Sequence, residues 1–341
     1  MTPAPTSATT RQPESRTDQQ TLLAVPALSD SSELIANAEV LATFLARHRH
    51  TMLLTGAGIS TASGIPDYRD RDGIRRGRLP VQGAEFRQSE AVRKRYWARS
   101  MIGWPTLAQA RPNAAHLALA ALQQHARAGA LLTQNVDGLH QQAGSREVIE
   151  LHGNIHRVIC LQCATQFPRA EVQQTLQALN PELAGTLAQP LPDGDAQLEP
   201  DAHTDFHVPA CPRCGGMLQP DVVFFGDGVP RARAEVAEQA VQQADALLVV
   251  GSSLMVFSGF RFARMAAEAG KPVIVLNRGV TRADSLLTLK MEFAAEHMLP
   301  QVLRQLGIAA LTEAQVEAAE VEAGVQSAAL SDPLSHPLSR T

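Results

Sequence analysis

All four cysteines of the chain stand in two pairs, Cys160-x-x-Cys163 and Cys211-x-x-Cys214. Each pair is a two-residue knuckle that aims two sulfurs at one point, and two knuckles supply the four thiolates of a tetrahedral Zn²⁺. A closed shell of four thiolates leaves no open coordination position, so such an ion holds structure and does no chemistry. The fold must therefore bring both knuckles to one point, and catalysis has to be sought in the segments that flank them. Cysteines grouped only in this way fit a metal and a reducing compartment better than disulfides. Ordinary buried cysteines are the bland alternative.

Composition narrows the function classes. With 45% apolar and 19% charged residues, the 341-residue chain reads as globular, long enough for one large domain or a large one plus a small one. A net charge of -4 argues against nucleic-acid binding through phosphate contacts and leaves a basic protein open as a substrate. No apolar run approaches the roughly 20 residues of a membrane span. Residues 1–20 mix Thr, Pro, Ser and Gln with both charges and lack the apolar core of a secretory signal. They read as a disordered tail of a cytoplasmic protein. Ser, Thr and Arg also suit an organelle transit peptide, which Glu14, Asp18 and the missing amphipathic pattern disfavour.

Apolar runs and helical stripes alternate along the chain. Leu34, Ile35, Ala38, Val40, Leu41, Phe44 and Leu45 mark a helix that His48 to His50 close; Thr51 to Thr55 is a short apolar strand. Residues 66–112 are polar, Arg-rich and broken by Gly and Pro, with Arg93 to Met101 helical. A helix over Asn113 to Ala128 leads to strands at Ala130–Thr133 and Glu147–Leu151. The knuckle region covers about 155–219, and Asn180 to Pro209 within it reads as a surface insertion. Asp221 to Phe225 is extended, Ala232 to Ala244 helical, Ala246 to Val250 a strand, Phe260 to Ala269 helical and Pro272 to Leu276 a strand. Beyond about Gly307, a helix over Thr312 to Ala323 precedes a Ser/Pro-rich end. Near-continuous apolar strands alternating with helices predict an α/β fold, a parallel sheet covered on both faces.

Ligands of such sheets bind beyond the carboxyl ends of the strands. Four strand ends here carry polar or Gly-rich sequence: Thr55-Gly-Ala-Gly58, Gln134-Asn-Val-Asp137, Gly251-Ser-Ser253 and Asn277-Arg278. The first has the logic of a dinucleotide loop, yet Thr61 stands at the third glycine position of G-x-G-x-x-G, and a plain tight turn is an equal reading. Asn277 suits a ribose hydroxyl or an ordinary turn. His152, at a strand terminus, is the best general-base candidate, because histidine titrates near neutrality. It is one of 11 histidines, with His116 and His140 as rivals.

These motifs, taken in order, resemble one family. Gly56 to Arg69 (GAGISTASGIPDYR), Thr133 to His140 (TQNVDGLH), Leu151-His-Gly153, the two knuckles, Pro220 to Gly226 (PDVVFFG), Gly251-Ser-Ser-Leu254 and Asn277 are similar to the sirtuins, NAD-dependent protein deacylases. The resemblance covers about residues 33–305. Arg95-Tyr-Trp-Ala-Arg99, Gly103-Trp-Pro105, Pro192-Asp-Gly-Asp195 and Phe224-Phe-Gly-Asp227 look like the class II branch, which includes a lipoamidase and ADP-ribosyltransferase.

The resemblance implies a Rossmann-like parallel sheet with helices on both faces, plus a small domain of zinc ribbon and helical insertion. The corresponding boundaries are a tail at 1–30, a catalytic domain at 31–308 and a second tail at 309–341. Rossmann-like parts fall at about 31–65, 113–154 and 220–308, and small-domain parts at 66–112 and 155–219. It implies one structural Zn²⁺ on Cys160, Cys163, Cys211 and Cys214. NAD is consumed as a co-substrate, acyl-lysine proteins are the partners, and the chain is a monomer. In the family mechanism the acyl oxygen attacks the nicotinamide ribose, nicotinamide leaves, and a base frees a ribose hydroxyl to attack the alkylimidate, giving O-acyl-ADP-ribose. Carried over, His152 is that base. Gln134 and Asn135 orient ribose and water, Asn135 counting as catalytic with His152.

Gly56, Ala57, Gly58 and Ser252 would cradle phosphates, Ile59, Gly251 and Ser253 belong to the cofactor set beside them, and Val136 and Asp137 would hold the nicotinamide amide. Asp67, Tyr68 and Arg69 belong to the mobile cofactor loop; Asn277, Arg278 and Ala295 complete the cofactor set. Val222, Val223, Phe224, Phe225 and Gly226 would flank a substrate strand on one side, Leu254 and Val256 on the other. Two departures stand out: Asp227 replaces the usual Glu, and Ala294 or Ala295 replaces a late Cys-Gly. Tyr96-x-x-Arg99 has the spacing of a pair that grips acidic acyl groups, or is a surface pair on an Arg-rich helix; both readings stand. Protein mono-ADP-ribosylation is the alternative activity, and a non-catalytic NAD or ADP-ribose sensor a third.

Overall fold

The computed structural model describes residues 31–76, 80–186 and 205–311. Its centre is a six-stranded parallel sheet of β1 (Thr51–Thr55), β2 (Leu131–Thr133), β3 (Val148–Glu150), β7 (Ala246–Val250), β8 (Val273–Leu276) and β9 (Leu289–Met291). The order is β3-β2-β1-β7-β8-β9. The chain therefore builds outward from β1 in one direction, then returns to β1's other side at β7. That reversal makes β1/β7 the switch point of the sheet, where a crevice must open beyond the strand ends.

The strands read as unbroken apolar runs because both faces are covered. Alternate residues serve opposite sides. Leu53, Leu131, Leu248, Val250, Ile274 and Leu276 pack into one core with α1 (Ser31–Arg47), α4 (Ala114–Gln124) and α9 (Ala295–Gln305). Met52, Leu54, Leu132, Leu247, Val249, Val273 and Val275 enter the other core, beneath α7 (Arg231–Gln243) and α8 (Phe257–Glu268).

A second, antiparallel sheet of β5 (Gln166–Pro168), β4 (Gly153–Cys160) and β6 (Leu218–Val222) carries the knuckles at its end. With α2 (Gly83–Gln88), α3 (Glu90–Gln109) and α6 (Arg169–Leu179) it encloses a separate core of Phe86, Tyr96, Trp97, Val158, Leu176, Phe206 and Phe224. Trp97 and Phe86 are fully buried there. The pairing of β4 with β6 slips: Gly153 faces Val222, but Val158 faces Pro220. The extra β4 residues bulge toward the loop after β2, which leads into the short helix α5 (Leu139–Gln142).

Several expected boundaries move. The extended segment expected from Asp221 begins at Leu218 and ends at Val222, so Phe224 and Phe225 lie in the loop beyond it. The helix expected from Phe260 begins at Phe257. The one expected to run to Ala128 stops at Gln124, and Ala126 turns left-handed at φ 50°. The Pro192–Asp195 motif and the helix expected over Thr312 to Ala323 lie outside the described residues, as do residues 1–30 and 312–341 of the two expected tails, whereas Leu311, placed in the second tail, is buried in the first core. Among the described residues no helix is long and apolar enough to cross a membrane.

Candidate active site

The crevice at the switch point is real, and backbone builds its floor. The Gly58 amide donates to the Gly251 carbonyl at 2.8 Å, and the Gly56 amide to Val250 at 3.3 Å. A Cβ on Gly58 would stand 2.9 Å from the Gly251 oxygen, and Gly251 itself sits at φ 60°. Side chains are thus excluded where the loops after β1 and β7 touch, which lets a pyrophosphate approach the main chain closely. Ser252 is buried beside them, and its hydroxyl accepts from Gln134 Nε2 at 2.7 Å.

The loop after β2 is bonded from three sides. Asn135 Nδ2 donates to the Gly56 carbonyl at 3.2 Å and to Ser60 Oγ at 3.0 Å. Ser60 Oγ donates to Asp137 Oδ2 at 2.7 Å, and the Leu139 amide donates to Asp137 Oδ1 at 3.0 Å. The β4 bulge supplies the third side. The Ile155 amide donates to Val136 O, and His156 Nε2 to Asp137 O, each at 2.9 Å. Four consecutive residues, Gln134 to Asp137, are therefore held in one conformation before any ligand arrives.

His152 lies in the turn between β3 and β4, partly buried against this loop. Its Nδ1 is 2.9 Å from the Gln134 carbonyl, and its Nε2 is 2.8 Å from Ser258 Oγ. A carbonyl only accepts, so Nδ1 carries the proton and the neutral ring keeps its lone pair on Nε2. Burial holds the pKa below the ordinary histidine value, against the pull of the Gln134 carbonyl and with help from the Arg233 charge. The ring is neutral at pH 7 and able to accept a proton.

The rival histidines have a different place. His116 and His140 are fully buried, their rings 4.9 Å apart, and neither lines the cleft. Burial lowers both pKa values, that of His116 to about 4. His116 completes a capping box with Asn113 at the start of α4, and His140 Nε2 bonds Thr55 Oγ1 at 2.8 Å.

The cleft encloses about 730 Å³. Its walls include nearly every residue expected to touch a ligand: Gly56, Ala57, Gly58, Asp67, Tyr68, Arg69, Gln134 to Asp137, His152, Gly251, Ser252, Ser253, Asn277, Arg278 and Ala295. Ile59 differs, since its side chain is buried in the core below the loop. Asp67 pairs with Arg76 at 2.9 Å, and Arg69 Nη1 donates to Gly73 O at 2.8 Å, which folds the 66–76 segment onto itself at the cleft's edge.

Val222 to Gly226, Leu254 and Val256 form the opposite part of the wall. The Val223 amide donates to the His152 carbonyl at 2.8 Å, so the segment after β6 is anchored to the histidine itself. At its far end Asp227 takes both guanidinium nitrogens of Arg87, at 2.7 and 2.8 Å. Tyr96 lines the cleft beside Phe224, with ring centroids 5.2 Å apart, whereas Arg99 is not part of the wall.

Away from the cleft, Cys160, Cys163, Cys211 and Cys214 bring their sulfurs within 4.8 Å of one another, and none of the four is in a disulfide. Cys160 and Cys214 are 3.5 Å apart, Cys163 and Cys211 3.8 Å. Tetrahedral Zn–S bonds of about 2.3 Å place sulfurs roughly 3.8 Å apart, so the donor set fits zinc in number, chemistry and spacing.

Two polar residues of the site escaped the sequence reading. Ser60 lies inside the Gly-rich motif but had no role; the spacing from Gly56 was its only signal. Ser258 was hidden because the helix was expected to start after it.

With this geometry in view, the chain matches the Sir2 family over residues 56–258. It is 53% identical over 256 residues to NAD-dependent protein deacetylase 3 of Pseudomonas syringae pv. tomato, covering 75% of this chain and 91% of that one. It is 52% identical over 273 residues to NAD-dependent protein deacetylase 2 of Bradyrhizobium diazoefficiens, covering 80% of this chain and 100% of that one. Among solved structures, a Sir2 complex with a p53 peptide and NAD⁺ superposes with a TM-score of 0.64 at 29% identity, over 79% of this chain and 98% of that one. The fold and site define a two-sheet α/β protein of the sirtuin class. This chain belongs to the Sir2 family.

Proposed function

We propose that the chain is an NAD-dependent protein-lysine deacetylase with His152 as its general base. The observation that carries this is the placement of His152, its Nδ1 2.9 Å from the Gln134 carbonyl, in the wall of a cleft whose floor is main chain. When bound, NAD supplies an electrophilic ribose carbon that exchanges nicotinamide for the acyl oxygen of the substrate lysine. The protein's part is to hold and to move a proton. The amides of Ala57, Ser252 and Ser253 would hold the phosphates, above a floor that Gly56, Gly58 and Gly251 keep free of side chains. Asp137 accepts the amide of the nicotinamide group, with Val136 beside it. Gln134 and Asn135 orient the ribose, and His152 Nε2 takes the hydroxyl proton that starts acyl transfer to ADP-ribose.

The peptide enters between Val222–Gly226 and Leu254–Val256, adding as a strand. Its acyl chain meets Val81, Tyr96, Leu107, Ile155 and Phe224 in the cleft wall. These side chains favour an apolar acyl group. The Phe-Phe-Gly-Asp sequence at 224–227 supports the class II assignment, which would include deacylation of longer chains. Residues 31–308 read as one catalytic unit, in which the six-stranded sheet carries the NAD half and the zinc ribbon with α2 and α3 the other.

The test is incubation of the protein with NAD and a panel of acyl-lysine peptides: acetyl, longer fatty acyl, lipoyl and branched acidic. Stoichiometric nicotinamide, free lysine and O-acyl-ADP-ribose are expected, with apolar acyl groups preferred. ADP-ribose fixed on protein without acyl loss would instead identify a mono-ADP-ribosyltransferase.

A further inference from the structure

Both ring nitrogens of His152 are already engaged. Nδ1 donates to the Gln134 carbonyl, and the lone pair on Nε2 accepts the hydroxyl of Ser258 at 2.8 Å. A neutral imidazole has no second lone pair in its ring plane. A substrate hydroxyl that must surrender a proton to this base therefore finds it occupied.

Ser258 is placed to remain there. It is the second residue of α8, after Val256 in extended conformation. The next residue, Gly259, is pressed against the Gln134 side chain so closely that a Cβ would collide with the amide group. The start of α8 thus clamps the ring from the side opposite the Gln134 carbonyl. Ser258 is only partly buried and lines the cleft. Its oxygen keeps lone pairs that no described group fills, while its hydrogen points at Nε2.

We propose that Ser258 relays the proton from the substrate hydroxyl to His152. This rests on the reading of His152 as the general base. The step balances: the substrate O–H bond breaks as a Ser258 O–H bond forms, and the original Ser258 O–H bond breaks as an Nε2–H bond forms. The substrate oxygen keeps the electron pair with which it attacks. Ser258 ends as it began, and the imidazolium remains bonded to the Gln134 carbonyl. Direct attack would require Ser258 to leave Nε2; the relay moves no heavy atom.

The two routes predict opposite signs for Ser258→Ala. A relay loses its path, so deacetylation should fall at least about tenfold. Nicotinamide release and its exchange back into NAD precede the base and should stay within about threefold. A blocking serine, once removed, would leave deacetylation equal or faster, and that result overturns the relay. Ser258→Thr keeps the hydroxyl and should retain activity within a few fold. Ser258→Val keeps the shape of the threonine variant without a hydroxyl and should behave like the alanine variant, which decides the matter even if Ser258→Ala does not fold. Nicotinamide exchange falling in parallel with deacetylation in all three variants would mark Ser258 as merely structural.

A readout on the ligand-free protein is independent of turnover. The ring proton resonance of His152, assigned by its absence in His152→Ala, is titrated in wild type and Ser258→Ala. Loss of the donated bond removes support for the neutral ring, so the midpoint should rise in Ser258→Ala and return in Ser258→Thr. The charged group whose field reaches the ring is Arg233 on α7, which pairs with Asp221 on β6 at 3.5 Å; both are untouched by these variants. The contacts from β2's end and from α8 are the uncharged Gln134 and Ser258. An unmoved midpoint overturns the proposal. If His152→Ala itself retains deacetylation, the general-base reading fails; if His152→Ala is dead and Ser258→Ala is not, the relay alone fails.

Discussion

The hydroxyl of Ser60 donates to the carboxylate of Asp137 across 2.7 Å, and both side chains are buried. This one bond joins the 3-10 turn after β1 to the loop after β2. Asn135, which donates to the same hydroxyl at 3.0 Å, completes a polar triangle beneath the cleft. The site is preorganised by bonds of this kind rather than by apolar packing, because the loops at the strand ends lie beyond the two apolar cores.

Replacement of Asp137 by Asn tests whether the carboxylate serves the ligand or only the loop. Asparagine keeps an acceptor for the Leu139 amide and a partner for Ser60, so the fold should survive. It turns one acceptor oxygen into a donor, which opposes the N–H of a nicotinamide amide. The KM for NAD should rise about tenfold or more, with the thermal midpoint within a few degrees of wild type. A KM that does not move removes Asp137 from the cofactor site.

Gly58→Ala should damage stability and NAD binding together. The added Cβ would press on the Gly251 carbonyl, a main-chain atom with no side-chain freedom to yield. Separating the loops costs the 2.8 Å bond between them as well. A loss of about 1–3 kcal/mol is expected in denaturant unfolding, with weaker NAD binding by calorimetry. Wild-type values for both would show that the crevice floor tolerates a side chain.

How far sequence alone reached depended on how one-sided each element's surroundings are. β1 and β7 were legible to the residue, since every position is buried and the apolar run ends where the sheet does. The four strand ends followed from the same logic. β4 was not legible, because its bulge mixes buried and half-exposed positions and has no single period. α9 was missed too: Pro300 interrupts its pattern, although its buried face packs fully. Ser258 shows the cost at the site. Phe257 is half-exposed, so the apolar stripe of α8 seemed to begin at Phe260, and the helix start that touches His152 fell in an expected loop.

Stability should fall below neutral pH because His116 and His140 are buried without charge. Both pKa values are lowered in the folded protein, that of His116 to about 4. In the unfolded chain each binds a proton near pH 6.5. Between those limits the unfolded state holds more protons, so stability rises with pH and is lost as pH falls. The slope is about 1.4 kcal/mol per pH unit for each histidine. Urea unfolding from pH 7.5 to 5 should show it, and His116→Gln should flatten it. An unchanged slope in that variant would assign the acid sensitivity to other groups.

Removal of the metal should reach the active site through the small core. Cys160 and Cys211 are buried in the same cluster as Tyr96 and Phe224, and those two line the cleft. Elemental analysis should therefore find a single zinc per chain, and Cys160→Ala should lose it. As zinc ligands the four sulfurs are thiolates, and at 3.5 and 3.8 Å in pairs they repel one another without an ion to neutralise their charge. The antiparallel sheet should then open at its knuckle end, with exposed tryptophan fluorescence from Trp97 and loss of peptide binding. NAD binding should weaken less, because the Gly58–Gly251 floor belongs to the other sheet. A Cys160→Ala protein that keeps its zinc, its fluorescence and its deacetylase activity would mean that the four-sulfur cluster does not hold this half of the molecule together.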